Sequence, residues 1–390
     1  MKIAILTSGR LPVPAVLGGA VENLTDYYLE YNNAHHLHDI TVYSIKSDKI
    51  IAPDTDHNHY HYIDTKSKIA KIRKRIYAKF NKETYYDSGI EYFLHRSLQH
   101  LKKQSYDYVI LENRPGFAMA VKRVTNAKIV LHLHNDLLNK DTYKANEIAG
   151  CLSKVITVSN FIKGRVETIG AGIPVETVYN GIDLERFQEK RHNTSVTRSA
   201  LGLADDDFVA VYSGRLTKEK GIKELLEAFL LLKDYPQLKL LVIGGSFYGD
   251  VQSGESPFIV ELQQIAENMR SRISFTGFVD YESIPDYLSL SDVAIIPSMW
   301  DDPFPTTVLE AMAAGLPIIA TKSGGIPESC GDCAILIDTD NSFAANFTQA
   351  IIKLFDDALE RKAMGEHGAI LSRRYAKEHY AQRFISSVTD

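Results

Sequence analysis

The 390-residue chain lacks the marks of several common protein classes. Cysteine is scarce, with three residues in all. Two of them form "CGDC", Cys330 to Cys333, a redox or zinc spacing. A zinc site needs two further ligands nearby, and none is evident. The pair also leads into the apolar run "AILID" instead of opening a helix, so both cysteines read as incidental. No apolar run reaches membrane-spanning length. The first residues, "MKIAILTSGRLPVP", lack the long core and cleavage site of a signal peptide. They read as a buried strand, and a cytoplasmic location is expected. The formal net charge is only -5, which gives no sign of nucleic-acid binding.

Nucleotide fingerprints are missing as well. The first strand is not followed by G-x-G-x-x-G, and the second ends in "YSIKS" without an acid for a ribose, which disfavours a nicotinamide enzyme. No Walker pattern occurs, so nucleotide hydrolysis is not suggested. No D-x-D metal motif stands in a convincing place, and no metal or other cofactor is expected.

What the chain does have is an ordinary globular mix, 45% hydrophobic and 24% charged, and length for two or three domains. Short Val/Ile-rich runs recur, each followed by a helix-length segment. The first half has "KIAILTS", "DITVYSI", "DYVILEN", "KIVLHLH" and "KVITVSN". The second has "FVAVYSG", "KLLVIGG", "ISFTGF", "VAIIPS", "PIIAT" and "AILID". Apolar runs without alternation fit strands buried on both faces of parallel sheets. The alternation with helices predicts βαβ units and α/β, doubly wound sheets. A polar break near "NGIDLERFQEKRHNTSVTRSALGLADDD" divides the chain into two Rossmann-like domains, 1–187 and 188–371. Ligands of such sheets lie outside the carboxyl ends of the strands, so a site between two facing domains is expected.

The strand ends carry the candidate chemistry. Gly18 and Gly19 follow the first strand and precede a helix whose first turn holds Glu22, which lets backbone N–H groups approach a phosphate or sugar; a plain glycine turn is the competing reading. In "KIVLHLHND", His132 and His134 share one face, and His134 is nearer the carboxyl end. It suits donation to a sugar hydroxyl or proton transfer, whereas His132 reads as a packing residue. Arg215 and Lys220 flank a turn before a helix, an arrangement suited to a diphosphate. "SMWDDPFPTTVLEAMAAGLPI" places Asp302 past a buried strand and Glu310 in the next helix, with Phe304, Pro305, Thr306 and Thr307 at that helix start. Carboxylates hold vicinal hydroxyls well, and the helix is nearly apolar, so Glu310 is buried and needs partners.

These residues resemble the retaining glycosyltransferases of family 4, whose fold of two Rossmann-like domains is called GT-B. The resemblance spans nearly the whole chain. The family's acid–seven residues–acid pattern and Gly-Gly loop correspond here to Asp302, Glu310 and "TKSGGIPE". It implies that Glu310 holds the ribose of a UDP- or GDP-linked donor and Asp302 contacts the donor sugar. It further implies that Arg215 and Lys220, in a "GR…KG" pattern that includes Gly214, bind the diphosphate. Gly18, Gly19 and His134 match first-domain site positions, and backbone near Phe278 and Val279 would meet the base. The first acid is Asp rather than Glu, one methylene shorter, which leaves the sugar open. The 1–187 domain would bind the acceptor, and a final helix, about 372–390, would cross back to it. Asn113 and Arg114 of "ENRPG" are candidate acceptor contacts. The segment Lys66 to Lys82 has eight basic residues, including Lys71, Arg73, Lys74 and Arg75, and isoleucines at helical spacing. It reads as a membrane-surface helix or as one that packs its isoleucines on the first domain. The resemblance favours a glycan or glycolipid acceptor in surface polysaccharide assembly, at the inner face of the membrane. Competing readings are a GT-B sugar phosphorylase or nucleotide-sugar epimerase, and a non-catalytic sugar-nucleotide-binding subunit.

Overall fold

Each Val/Ile-rich run becomes a strand in the computed structural model, which describes residues 1–51, 54–81, 84–191, 193–245 and 256–390. The first sheet holds β1 (Lys2–Leu6), β2 (Asp39–Ile45), β3 (Asn58–Ile63), β4 (Tyr108–Glu112), β5 (Lys128–Leu133), β6 (Lys154–Thr157) and β7 (Val175–Thr177). The second holds β8 (Phe208–Ser213), β9 (Leu238–Ile243), β10 (Ile273–Gly277), β11 (Val293–Ile296), β12 (Ile318–Thr321) and β13 (Ala334–Ile337). All pairings are parallel, in the orders β3-β2-β1-β4-β5-β6-β7 and β10-β9-β8-β11-β12-β13. Helices over both faces bury these strands, which is why the sequence shows apolar runs and no alternation. The polar run "HNHYHY" supplies all but the last residue of β3, and its place at the sheet edge explains its composition.

Two compact units result. One is Met1–Gly181 with Lys377–Asp390, and the other is Ile182–Ala376. The polar break had suggested a boundary at 187 and a last helix from about 372. The chain leaves the first unit six residues earlier, and the last helix runs Lys377–Thr389. Phe187 explains the shift. It sits in a polar stretch, yet it is buried in the second unit with its ring 6.3 Å from that of Tyr281. Ile182 also donates its N–H to the Tyr375 carbonyl at 2.7 Å, so the two linking segments run side by side within that unit.

The last helix belongs to the core of the first unit. Phe384 stacks on Tyr28 of the helix Ala20–His35 with centroids 4.4 Å apart. Tyr108 donates to the Thr389 carbonyl at 3.1 Å, and Lys154 to the Ser387 carbonyl at 2.7 Å. Strand order reverses between β1 and β4 in one sheet and between β8 and β11 in the other. At such switch points the loops beyond the two strands run in opposite directions and leave a crevice for a ligand. Truncation of Phe384 to Ala is expected to destabilise the first unit by about 3–5 kcal/mol, as for other buried aromatics. Denaturant titration followed by tyrosine fluorescence measures it.

Candidate active site

In the second unit the site forms at the switch point between β8 and β11. After β8 comes Gly214, then Arg215, a 3-10 turn over Lys218–Lys220, and the helix Ile222–Leu230. Gly221, between turn and helix, has φ 70°, and a Cβ there would collide with the carbonyl of Pro297 just past β11. The close approach explains the glycine. Met299 N–H donates to the Glu219 carbonyl at 3.0 Å, so the two switch-point loops are joined by backbone as well.

Across this joint Lys220 Nζ lies 2.5 Å from Asp302 Oδ2. Asp302 is buried, while the lysine keeps 24% of its side chain exposed and stands 5.6 Å over the Trp300 ring. Arg215 Nη2 is 3.5 Å from Glu219. The loop after β12 holds Asp302 from behind. Gly324, at φ 56°, comes against its backbone, and Gly325 N–H donates to its carbonyl at 2.7 Å.

The helix Thr306–Ala313 starts beyond Pro305. Phe304 is buried with its ring 5.7 Å from Tyr375. Thr306 and Thr307 are half-exposed. Glu310, one turn in, is buried, and burial lifts its pKa to about 7 against the opposing hydrogen bonds of the Thr306 and Tyr281 side chains. Phe278 and Val279 follow β10, with Phe278 exposed and Val279 half-buried.

In the first unit Gly18 and Gly19, at φ 74° and 110°, lead into the helix Ala20–His35. A Cβ on Gly19 would strike the carboxylate of Glu22, so the glycine makes room for a buried acid. Burial raises the Glu22 pKa to about 7, although Ser8 Oγ donates to it at 3.2 Å. His132 is fully buried, as a packing residue would be, with its ring 4.5 Å from that of Phe384. Its Nδ1 meets Glu112 Oε2 at 3.0 Å, and Nε2 of His134 meets the same oxygen at 3.1 Å. Tyr28 donates to Glu112 Oε1 at 2.8 Å. The Glu112, His132 and His134 atoms that could ligate a metal lie within 4.8 Å of one another, the one such group among the described residues. Hydrogen bonds between them occupy those atoms. Glu112 went unnoticed in the sequence because only the pairing of β4 with β5 sets it opposite His132. Asn113 uses its side-chain carbonyl to accept the His134 backbone N–H at 3.1 Å, and Arg114 Nε donates to the Ser8 carbonyl at 2.9 Å.

Comparison with known proteins decides the class. The description "Glycosyl transferases group 1" matches residues 193–370, and "Glycosyltransferase Family 4" matches residues 35–186. The chain belongs to the family 4, group 1 glycosyltransferases. The glycosyltransferase is 28% identical over 407 aligned positions to spore coat protein SA of Bacillus subtilis, covering 99% of this chain and 97% of the relative. It is 28% identical to a lipopolysaccharide 1,2-N-acetylglucosaminetransferase of Salmonella typhimurium, over 67% of each chain. Its fold is that of Anabaena HepE, crystallised with UDP, at a TM-score of 0.74 and 19% identity over the full length of both chains. The fold is therefore GT-B.

The basic segment of the glycosyltransferase forms the helix Lys68–Phe80, while Lys82 lies outside the described residues. The helix packs inward through Ala70 and through Tyr77, whose ring is 4.8 Å from His95. Its isoleucines do not face the domain. Ile69, Ile72, Ile76 and Phe80 are 63%, 57%, 54% and 79% exposed. No helix among the described residues is long and apolar enough to cross a membrane.

Lys220→Met is expected to cost about 3 kcal/mol, near the low end for breaking a buried ion pair because the lysine is partly exposed. Adding Asp302→Asn should recover part of that loss, as a double-mutant cycle in denaturant would report. Glu310 has its folded pKa raised from 4.5 to about 7, so its stabilising effect is complete below about pH 4.5 and lost as pH rises through 7. Glu310→Gln should flatten the fall in Tm between about pH 5 and pH 8.

Proposed function

We propose that the enzyme transfers a hexose from a nucleotide diphosphate sugar to an acceptor hydroxyl, with retention at the anomeric carbon, in the assembly of a surface glycan. The observation that carries this reading is the grouping at the second switch point. Lys220 is anchored by Asp302, and the buried carboxylate of Glu310 lies one helical turn beyond the start of the neighbouring helix. UDP in the HepE crystal structure and the carbohydrate transfer named for the Salmonella relative support the donor and acceptor classes.

Each residue then has a task. Glu310 accepts two ribose hydroxyls, which favours its ionised form. Lys220 and Arg215 face the diphosphate, and Gly214 and the helix start at Phe304, Pro305, Thr306 and Thr307 let N–H groups approach it. Asp302 accepts from a hydroxyl of the sugar once the phosphate oxygens share Lys220. Backbone at Phe278 and Val279 meets the base. In the first unit Gly18 and Gly19 let N–H groups approach a ligand, and Asn113 and Arg114 contact the acceptor.

In the reaction the anomeric carbon–oxygen bond to the diphosphate breaks through an oxocarbenium-like state. The acceptor oxygen attacks from the same face, and its proton passes to the departing phosphate oxygen. The growing negative charge is met by Lys220, Arg215 and helix N-termini without a metal ion.

Lys220→Ala should lower turnover by about two orders of magnitude or more, by analogy with oxyanion donors. Turnover should be unchanged by EDTA. Nucleotide sugars linked to UDP and GDP, screened by thermal shift, should stabilise the protein in one series only. At about 100 times Kd the gain is about 2.7 kcal/mol. No stabilisation by either series defeats the donor assignment.

The helix Lys68–Phe80 supports a location at a membrane surface. Its four exposed apolar side chains are flanked by Lys71, Arg73, Lys74 and Arg75, and the helix contains no acid. An anionic lipid surface complements both features, because apolar side chains enter the interface while cations meet headgroups. Sedimentation with vesicles should show binding that rises with phosphatidylglycerol content and falls with salt. Ile72→Asp with Ile76→Asp should abolish it. Equal binding to phosphatidylcholine alone overturns the assignment.

A further inference from the structure

The cluster of Glu112, His132 and His134 lies at the carboxyl end of β4 and β5, beside the first switch point. Its side chains are buried, with exposures of 1%, 0% and 5%. A buried polar group at a strand end that merely packed would cost stability without return. Here the carboxylate receives three hydrogen bonds, from Tyr28 Oη at 2.8 Å, His132 Nδ1 at 3.0 Å and His134 Nε2 at 3.1 Å.

The protons follow from this arrangement. Burial alone would lift the Glu112 pKa, but the two imidazoles outweigh it and hold the carboxyl below its ordinary value. An ionised carboxylate can only accept, so each nitrogen facing it carries hydrogen. Burial, with His132 adding to it, pushes the His134 pKa down to about 4, so near neutral pH its ring has one proton. Nε2 also lies 3.1 Å from His132 Nδ1, but that nitrogen directs its own hydrogen to Glu112 Oε2 at 3.0 Å, so the carboxylate is the acceptor for both rings and the His134 proton sits on Nε2. Nδ1 of His134 then holds a lone pair and has no hydrogen-bond partner among the described residues.

We infer that Glu112 is a positioning residue that fixes the Nε2–H tautomer of His134 and so presents Nδ1 as an acceptor for a substrate hydroxyl. Asn113 secures the same orientation from the backbone. At φ 55° it turns its side-chain carbonyl onto the His134 N–H at 3.1 Å. An Nδ1 lone pair selects a ligand atom that bears a proton. A hydroxyl of the sugar or acceptor satisfies it, and a carboxylate or phosphate oxygen does not. The inference rests on the transferase reading, in which His134 faces substrate, and it changes the histidine from a donor into an acceptor. Tyr28 supports the carboxylate from the helix Ala20–His35. Burial keeps the phenols of Tyr28 and of Tyr380 in the last helix neutral by raising their pKa values, and the Glu112 charge adds to the effect.

The test has one arm that needs no substrate. Long-range proton–nitrogen NMR of protein labelled with 15N-histidine, with His134→Asn for assignment, reports the tautomer directly at neutral pH. A protonated Nε2 and an unprotonated Nδ1 are expected. An Nδ1–H tautomer or a doubly protonated ring overturns the proposal. So does a tightly bound metal, found by elemental analysis, that is lost in His132→Ala. The second arm uses Glu112→Gln, whose carboxamide can also donate and so no longer dictates the tautomer. With whichever of UDP-glucose, UDP-N-acetylglucosamine or GDP-mannose the wild type hydrolyses or transfers, kcat should fall about 10- to 100-fold, the range for loss of a histidine's orienting partner. KM should stay within about twofold. Unchanged kcat in a folded variant overturns the proposal. If no nucleotide binds the wild type, the donor reading fails while the NMR arm still decides the tautomer.

Discussion

The Lys220–Asp302 ion pair ties the loops after β8 and β11 together at the point where the second sheet reverses its strand order. A carboxylate buried there is tolerable because the lysine and the backbone around Gly324 and Gly325 hold it. The pair also keeps a cation in place before any anion arrives. On the proposed reading a diphosphate would meet a charge whose side-chain freedom has already been spent, which is how preorganised sites stabilise developing charge. Gly221 and Met299 serve the same joint through the backbone.

Buried acids recur at the carboxyl ends of both sheets. Glu22 and Glu310 have pKa values raised by burial to about 7, and Glu112 is held ionised by two imidazoles. The contrast is instructive. Glu310 has the hydroxyls of Thr306 and Tyr281 as neighbours, and these do not offset its burial. Glu112 is compensated within the protein by Tyr28, His132 and His134. One type of side chain thus has its pKa raised or lowered according to its neighbours.

The basic helix Lys68–Phe80 shows how a small change of packing face changes meaning. Its periodic isoleucines suit burial against the domain equally well. The structure seats Ala70 and Tyr77 inward and leaves the isoleucine stripe in solvent beside the cations. Exposed apolar stripes of this kind mark interaction surfaces.

Much of this protein was legible in the chain itself. Unbroken Val/Ile runs alternating with helical segments specify parallel sheets, since only strands covered on both faces can be apolar throughout. Charged residues just past those runs point to Arg215, Lys220, Asp302, Glu310 and His134, because strand ends are where such sheets expose side chains to ligands. Strand order lay beyond the sequence, since any apolar strand can neighbour any other. The pairing of β4 with β5 that joins Glu112 to two histidines, the contact of Lys220 with a residue 82 positions away, and the burial of Phe187 in a polar stretch were settled only in three dimensions. Local sequence determines which segments bury apolar surface, while partners distant along the chain are chosen by packing of the whole unit.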